Sequence, residues 1–331
     1  MVPDANRTMT SPGPDPEPDK GAEKPAEIEF RSVSKWYGHV IGINNLSLRV
    51  AAGVTGLLGP NGAGKSTLLQ LATGQLRPSQ GEVRVLGHRP WNNAGLNRLI
   101  GLCPEQDAFF EWMTGREFLN SSALLAGLGR RGSREAAERV LEQVRMTEHA
   151  DRPVRGYSKG MRQRIKLAQA LVHDPRVLFL DEPLTGTDPV ARRELMDLIL
   201  DLGRSGRTIL VSSHVLHEVQ AFTRQIVLMN RGRLVAFGDV RQVRDLIDAH
   251  PHRIVLRCPD SRALAAKLVR WEDVLGVELR RDDGAIVIET RAPDRFYGRL
   301  PGLALEADTP IDEVYSDDDN LEAVFKYLVN P

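Results

Sequence analysis

Nine residues between an apolar run and a helical pattern constrain the fold of this chain more than any other segment. They are Gly59-Pro60-Asn61-Gly62-Ala63-Gly64-Lys65-Ser66-Thr67, and they match the phosphate-binding pattern G-x-x-x-x-G-K-[ST] without a gap. The apolar run at 54–58 predicts a buried strand before the loop, and the pattern at 66–71 predicts a helix after it. Because this order of strand, loop and helix is the context that the pattern requires, we predict an α/β fold with a phosphate site at the start of the helix.

The residue types of this loop suit a nucleoside triphosphate. Glycine tolerates positive φ and has no Cβ, so the backbone can wrap closely around a ligand. Its N–H groups then point at phosphate oxygens at a helix N-terminus, where the helix dipole favours anions. We expect Lys65 to reach the β- and γ-phosphates and Ser66 to give its hydroxyl to Mg²⁺. The alternative is a glycine-rich turn that binds nothing, and the complete pattern in its proper context disfavours it.

The composition indicates a globular protein larger than one compact domain. The chain has 331 residues, of which 41% are hydrophobic, and a phosphate-binding domain with one smaller domain is the natural division. Lys and Arg together number 44, as do Asp and Glu. A dedicated nucleic-acid binder usually has a basic excess, so we expect no nucleic-acid partner.

Cysteine usage and hydropathy bear on the compartment. Cys103 and Cys258 lie far apart and match neither a disulfide framework nor the spacing of zinc ligands. We expect both to be small core residues in a reducing cytosol. No apolar run approaches the length of a membrane-spanning helix, and the N-terminus lacks the apolar core of a secretory signal. If the protein acts at a membrane, a partner must provide the span.

Changes in composition divide the chain into three predicted parts. Residues 1–27 are rich in Pro, Asp, Glu and Gly, which predicts a disordered tail. Residues 28–240 form the predicted nucleotide-binding domain, which begins with the alternating pattern of a half-buried antiparallel strand at 28–33 and has helical spacing over about 105–165. Residues 241–331 form a predicted small α+β module.

Periodicity places the remaining elements. The further predicted strands span 46–50, 82–86, 99–103, 177–180, 208–212, 226–230, 233–237, 252–258, 277–281 and 285–289. The predicted helices span 117–128, 133–144, 160–172, 189–202, 261–269 and 320–329. Asp188 is the expected N-cap of the helix that Pro189 opens.

Two carboxylates follow a short, fully apolar strand. Val177–Leu180 is succeeded by Asp181, Glu182 and Pro183. A buried parallel strand would deliver both acids to the carboxyl edge of the sheet, beside the phosphate loop. We expect Asp181 to hold Mg²⁺, through water, and Glu182 to orient and deprotonate the attacking water. The alternative, an ordinary exit from a strand, is less favoured once a phosphate loop precedes it.

From these motifs the chain resembles the ATP-binding subunit of an ABC transporter. The resemblance covers residues 28–240, and the motifs occur in the family order. Tyr157-Ser158-Lys159-Gly160-Met161-Arg162-Gln163 is similar to the family's signature segment, with Met161 in place of the usual glutamine. The resemblance implies that Ser158 and Gly160 contact the γ-phosphate of ATP bound to the opposite subunit. Ser158 can also be read as the N-cap of the next helix, and both roles can hold together.

Further site residues are implied by the same resemblance. Asp188, in the loop 184–188, matches a position that makes contacts across the dimer, and His214 matches a histidine that contacts the γ-phosphate. Tyr37 matches the aromatic residue that stacks on adenine, whereas Trp36 is expected to pack. The family's glutamine after the 99–103 strand has no simple counterpart. Alignment on the preceding proline gives Glu105, a possible Mg²⁺ ligand, and leaves Gln106 as the alternative.

An aromatic segment follows that position, at 108–113. It contains Phe109, Phe110, Trp112 and Met113. An exposed aromatic patch suits a groove for a partner helix, and in the family this region receives a short helix of the membrane subunit. The alternative is the core of the helical segment, and the sequence does not favour either.

The resemblance implies a P-loop, RecA-like ATPase core with an antiparallel β subdomain and a helical signature subdomain, followed by the small α+β module. It implies ATP and Mg²⁺, and a homodimer or a heterodimer with a related ATPase subunit. It also implies a separate multi-span permease of the drug- or lipid-exporter kind, at the cytoplasmic face of the plasma membrane. The rival interpretation is an ABC-type ATPase that acts on DNA or ribosomes, although no second ATPase unit, coiled-coil insertion or basic tail is visible. A GTPase or small-molecule kinase is disfavoured because the chain lacks Asn-Lys-x-Asp and would leave the signature segment unexplained.

Overall fold

The computed structural model describes residues 26–239, 251–280, 283–307 and 309–316. In the first of these ranges the strands are β1 (Ala26–Tyr37), β2 (Val40–Ala51), β3 (Gly53–Leu58), β4 (Gln80–Val85), β5 (Ile100–Cys103), β6 (Val177–Leu180), β7 (Thr208–Ser213), β8 (Gln225–Asn230) and β9 (Arg233–Asp239). The α-helices of that range are α1 (Lys65–Ala72), α2 (Ala94–Asn97), α3 (Gly115–Leu125), α4 (Arg130–Gln143), α5 (Lys159–Leu171), α6 (Pro189–Arg204) and α7 (Leu216–Phe222).

A six-stranded sheet carries the site. Its order is β5-β6-β7-β3-β8-β9, and all neighbours are parallel except the β8–β9 hairpin. Every residue of β6 and β7 is buried, as expected for parallel strands covered on both faces. The carboxyl ends of β3, β6 and β7 therefore meet at one edge, which receives the phosphate loop, the paired acids and the histidine.

A second sheet packs beside the first. It is antiparallel, with the order β2-β1-β4. In β2 the buried residues Leu46, Leu48 and Val50 alternate with exposed ones, which confirms the predicted half-buried pattern. These residues share one apolar cluster with Leu68 of α1 and Phe179 of β6, so the two sheets and the helix after the phosphate loop share one core.

The helical segment packs on its own cluster. Phe118, Val140 and Ile165, from α3, α4 and α5, are all buried in it. The predicted helices of this segment are confirmed, with ends that differ by up to three residues. Two of their starts are fixed by caps: Thr114 forms a capping box with Glu117, and the Ser158 side chain accepts a hydrogen bond from an α5 amide.

Beyond residue 250 the described residues form a separate antiparallel sheet. Its strands are β10 (His252–Arg257), β11 (Val274–Leu279), β12 (Ile286–Thr290) and β13 (Glu313–Ser316), in the order β11-β12-β10-β13. Two helices, Ser261–Leu268 and Pro293–Ala307, share an apolar cluster with the sheet. This confirms the α+β character of the region, while the domain boundary at 240 stays a prediction.

Two elements of this region were not predicted. Pro293–Ala307 contains Gly298, Pro301 and Gly302, which weaken a helical pattern, but buried Phe296 and Leu300 pack it on the sheet. The short edge strand β13 has no strong pattern of its own. The predicted helix 320–329 and residues 1–25 of the predicted tail lie outside the described residues. The prediction was wrong at 26 and 27, which begin β1 because this strand pairs with the neighbouring strand β2 from Ala26 onward.

Candidate active site

The phosphate loop connects the end of β3 to the start of α1 and packs tightly against β2. Gly64 is the N-cap of α1 and has a φ of 102°. A Cβ at this position would lie 2.7 Å from the Gly42 carbonyl oxygen and 3.0 Å from the Ile43 Cδ1. Gly62 also has a positive φ, of 80°, but a Cβ there would meet nothing within 4 Å. The loop therefore requires glycine at 64 for space as well as conformation.

Lys65 is held inside the curl of its own loop. It is only 6% exposed, and its Nζ donates to the Gly59 carbonyl at 2.7 Å and to the Pro60 carbonyl at 3.4 Å. Its Nζ also lies 3.3 Å from the Glu182 Oε1. A buried ammonium needs such oxygen partners, and these contacts fix it at the point where the loop faces the paired acids.

Ser212, at the end of β7, holds both acids in place. Its hydroxyl donates to the Asp181 Oδ1 at 2.6 Å and accepts from the Glu182 N–H at 2.8 Å. Both carboxylates are buried, and the Asp181 N–H donates to the Cys103 carbonyl at 2.8 Å. Ser212 was not among the predicted site residues. Its position as a polar residue at the end of an apolar strand is the signal that could have identified it.

Glu182 lies where three segments meet. Its Oε2 is 2.9 Å from the His214 Nδ1 and accepts from the Thr185 hydroxyl at 3.2 Å, while its Oε1 faces Lys65. Its φ of 49° is left-handed, a conformation that costs a non-glycine residue on the order of 1–3 kcal/mol. The strained turn points this carboxylate toward the loop and the histidine, which is the arrangement that a general base beside a phosphate requires.

The signature segment forms a second cluster with the start of α6. Ser158 caps α5 by accepting from the Met161 N–H at 3.3 Å, so the cap interpretation is confirmed. A Cβ on Gly160 would lie 3.7 Å from the Asp188 Oδ2. Asp188 caps α6, and the hydrogen bonds from the Ala191 and Val190 amides hold the pKa of its carboxyl below the usual range. Within the described ranges, no recorded hydrogen bond or ion pair joins this cluster to the phosphate loop.

Tyr37, at the end of β1, lies beside the loop. Its side chain is exposed, and its hydroxyl is 3.4 Å from the Thr67 Oγ1 on α1. Trp36 is half-buried. An exposed ring next to a phosphate loop can stack on the base of a bound nucleotide, because the loop fixes where the phosphates lie.

Glu105 and Gln106 follow β5, and both are exposed. In the part of the chain that the structure describes, the Glu105 carboxylate makes no hydrogen bond or ion pair. Its backbone is instead held from α5, because the Lys166 Nζ donates to the Pro104 carbonyl at 3.1 Å and to the Glu105 carbonyl at 2.7 Å. Both residues therefore lie just after β5, the strand next to β6. The structure does not distinguish which of them takes the position of the family's glutamine.

The aromatic segment divides between the two alternatives. Phe109 and Met113 pack on the core of the helical segment, and the Phe109 ring contacts Phe118 edge to face. Phe110 and Trp112 point outward, with exposures of 53% and 72%, and their ring centroids are 5.3 Å apart. Half of the segment is core, and the other half is an exposed aromatic pair.

The oxygen donors at the loop fit Mg²⁺. Asp181 offers a buried carboxylate at the strand end, and Ser66 offers a hydroxyl at the first turn of α1. Mg²⁺ prefers oxygen ligands and is commonly held by one or two carboxylates together with phosphate oxygens. No group of three or more His, Cys, Asp or Glu residues that could bind a metal occurs among the described residues, so a metal here would depend on this small donor set and the phosphates.

Comparison with known proteins decides the family. The ABC transporter family model matches residues 43–185. The chain is 38% identical over 218 residues to an uncharacterized ABC transporter ATP-binding protein, YxlF, of Bacillus subtilis, and the match covers 66% of this chain and 72% of YxlF. The chain belongs to the ABC transporter ATP-binding proteins. Members of this family hydrolyse ATP with Mg²⁺, and this chain is therefore an ATPase whose fold is the predicted P-loop fold.

Other relatives of this ABC ATPase have more specific names. It is 34% identical over 273 residues to the daunorubicin/doxorubicin resistance ATP-binding protein DrrA of Streptomyces peucetius, with 82% of each chain covered. It is 35% identical over 269 residues to the phospholipid-transporting ATPase ABCA7 of Homo sapiens, but it spans only 12% of that protein. A solved ATP-binding subunit of an ABC transporter superposes with a TM-score of 0.60 at 26% identity, covering 66% of this chain and 92% of that one.

Proposed function

We propose that this ABC ATPase dimerises around ATP and powers export of a substrate through a separate multi-span permease. The observation that carries the proposal is the division of the site into two clusters. Lys65, Glu182 and His214 are joined by contacts of 3.3 Å and 2.9 Å. Ser158 and Gly160 lie with Asp188 in the other cluster.

The first cluster supplies binding and hydrolysis. The Lys65 ammonium binds the β- and γ-phosphates, and the backbone N–H groups of 59 and 61–64 surround them. The Glu182 carboxylate orients the attacking water and accepts its proton, while His214 contacts the γ-phosphate. Asp181 and Ser66, with Glu105 as a further candidate, would hold Mg²⁺, which would neutralise phosphate charge.

The second cluster completes the site of another copy. Ser158 and Gly160 stand at the N-terminus of α5, where free amides and the helix dipole favour an anion. Two copies arranged head to tail would bring this helix end to the γ-phosphate that the partner's loop holds. ATP then bridges the copies, and its hydrolysis removes the bridge and lets the dimer open. A heterodimer with a related ATPase subunit would use the same geometry.

The permease contact is assigned to Phe110 and Trp112. Exposed aromatic pairs are frequent anchors at protein interfaces, and this pair lies between β5 and α3. None of the helices in the described ranges is long and apolar enough to cross a membrane. We propose that the permease holds the chain at the cytoplasmic face of the plasma membrane.

Export is supported by the relatives. DrrA is named for drug resistance and is covered over 82% of its length, and ABCA7 is named for phospholipid transport. Both names fit apolar or amphipathic cargo. We therefore propose a drug or lipid-like substrate class, recognised mainly by the permease. The division of the chain at residue 240 into ATPase domain and accessory module is part of the same proposal.

Affinity purification of the tagged chain from its native membranes in mild detergent tests this function. We expect a stoichiometric multi-span protein with the wild type and with Leu305→Ala, a control at an exposed residue of the helix Pro293–Ala307. The double variant Phe110→Ala/Trp112→Ala should lose that protein. Recovery only with ribosomal or DNA-repair proteins would refute the transport assignment and leave the ATPase intact. Equal recovery by the double variant would refute the docking assignment.

A further inference from the structure

An ion pair outside the groups discussed so far joins the helix after Asp188 to the helix after His214. The Arg192 Nη1, on α6, lies 3.1 Å from the Glu218 Oε1 on α7. Arg192 is four residues after Asp188, and its backbone N–H donates to the Asp188 carbonyl at 2.9 Å. Glu218 is four residues after His214, in the first turn of α7. The pair therefore connects two candidate site loops that are separate in sequence.

Each member of the pair also contacts the loop next to its own helix. The Arg192 Nη2 donates to the Thr187 carbonyl at 3.4 Å. The Glu218 Oε2 accepts from the Ser213 hydroxyl at 3.4 Å, and the same hydroxyl accepts from the Val215 N–H at 3.0 Å. Ser213 and Val215 flank His214. The contacts thus run from the residue before Asp188 to the two neighbours of the histidine.

Burial distinguishes this pair from the Arg193–Asp197 pair on the same helix. The Arg192 and Glu218 side chains are 38% and 10% exposed, whereas those of Arg193 and Asp197 are 75% and 55% exposed. An exposed pair contributes little to stability, but a buried carboxylate that loses its cation is strongly destabilised. Glu218 therefore has to follow Arg192 if the start of α6 moves.

His214 needs such support because the protein encloses it only partly. Its side chain is 48% exposed, and among the described residues its ring is oriented by one hydrogen-bond contact, of 2.9 Å, to Glu182. We infer that Arg192 and Glu218 are positioning residues, which hold His214 at Glu182 and tie that contact to the position of the 184–188 loop. The inference rests on the roles proposed above for Asp188 and His214. It follows that a second copy that binds at Asp188 also determines the position of His214 in this copy.

ATPase kinetics of Arg192→Met and Glu218→Gln test the inference, with Arg193→Met as the matched control. We expect both positioning variants to lower kcat by about tenfold to a hundredfold, the size of effect that misplacement by an ångström produces. KM for ATP should change little, because neither residue contacts the phosphate loop. Arg192→Lys keeps the charge and should recover most of the lost kcat. The double variant Arg192→Met/Glu218→Gln should be no slower than the worse single variant, since the two residues act through one contact.

A second set of variants separates this inference from the proposed function. If His214→Ala has the kcat of the wild type, the assignment of the site fails. If His214→Ala is slow while Arg192→Met matches the wild type, the site assignment stands and the inference is overturned. Arg192→Met should also add no loss in the His214→Ala background, and a further multiplicative loss would place its effect elsewhere. Melting temperatures identify any variant that is unfolded in the assay, and Arg192→Lys then supplies the comparison.

Discussion

Replacing Gly62 and Gly64 by alanine, one at a time, separates the effect of tight packing on the phosphate loop from the effect of its backbone conformation. Gly64 and Gly62 both have positive φ, of 102° and 80°. Only at Gly64 would the new methyl meet backbone, 2.7 Å from the Gly42 oxygen. Real Cβ atoms do not approach oxygen so closely, so β2 or the loop has to shift in Gly64→Ala, whereas nothing has to shift in Gly62→Ala.

The magnitudes follow from these two terms. A left-handed conformation costs an alanine about 1–2 kcal/mol, and both variants incur this cost. Overpacking against neighbours that cannot relax adds about 1–3 kcal/mol, and only Gly64→Ala incurs it. We therefore expect Gly62→Ala to lower the free energy of unfolding by about 1–2 kcal/mol and Gly64→Ala by about 2–5 kcal/mol.

Denaturant unfolding of the nucleotide-free wild type and both variants, followed by circular dichroism, measures the difference. A fluorescent ATP analogue then reports whether the shifted loop still binds phosphate, and we expect Gly64→Ala to bind more weakly than Gly62→Ala. Equal destabilisation by the two substitutions would mean that the close approach of β2 does not constrain the loop.

Three other outcomes follow from burial and capping. Burial raises the pKa of the Cys103 thiol to about 12, so iodoacetamide at pH 8 should modify Cys103 in guanidinium but not in the folded protein. Peptide mass spectrometry measures the modification, and fast labelling of the folded protein would contradict the burial of the thiol. Phe179→Ala should lower the free energy of unfolding, measured by denaturation, by about 3–5 kcal/mol, because the ring is fully buried in β6. A loss below about 1 kcal/mol would contradict its place in the core. Ser158→Ala removes the α5 cap and should lower the free energy of unfolding by about 1 kcal/mol. It should also lower ATP turnover by more than that small loss of stability explains, and wild-type turnover would exclude Ser158 from the site.

Local signals in the sequence were strong enough to place the elements that carry the site. The strand Val177–Leu180 has the predicted bounds because four apolar residues end abruptly at two acids. The helix α6 begins at Pro189 as predicted, because an Asp cap followed by Pro is an unambiguous start. The helix Pro293–Ala307 was missed because its stability comes from burial of Phe296 rather than from its own propensity.

The contacts within the site could be anticipated only in part. The motifs predicted that Lys65, Glu182 and His214 belong together, and the distances bring them together. The hydrogen bonds of the Ser212 hydroxyl to the Asp181 carboxylate and the Glu182 N–H depend on which strands are neighbours and in what register, and local pattern carries no such information. The same reason applies to the Arg192–Glu218 pair.

Two neighbouring aromatic residues illustrate the limit on the surface. Phe109 and Phe110 are identical side chains in adjacent positions, yet one packs in the core and the other is exposed. No helical or strand period governs the irregular segment before α3, so the direction of each ring follows from tertiary packing alone. The sequence could therefore identify the aromatic segment, but not which of its side chains are buried and which are exposed.

The composite ATP site is tested by the mass of Glu182→Gln in solution with saturating ATP and Mg²⁺, measured by size exclusion with light scattering. The glutamine keeps the size of Glu182 but cannot accept the proton of the attacking water, so ATP should persist between two copies. We expect a dimer with ATP, a monomer without it, and a monomer for Lys65→Ala/Glu182→Gln, which lacks the phosphate-binding ammonium. A Glu182→Gln chain that binds ATP and stays monomeric would contradict the composite site.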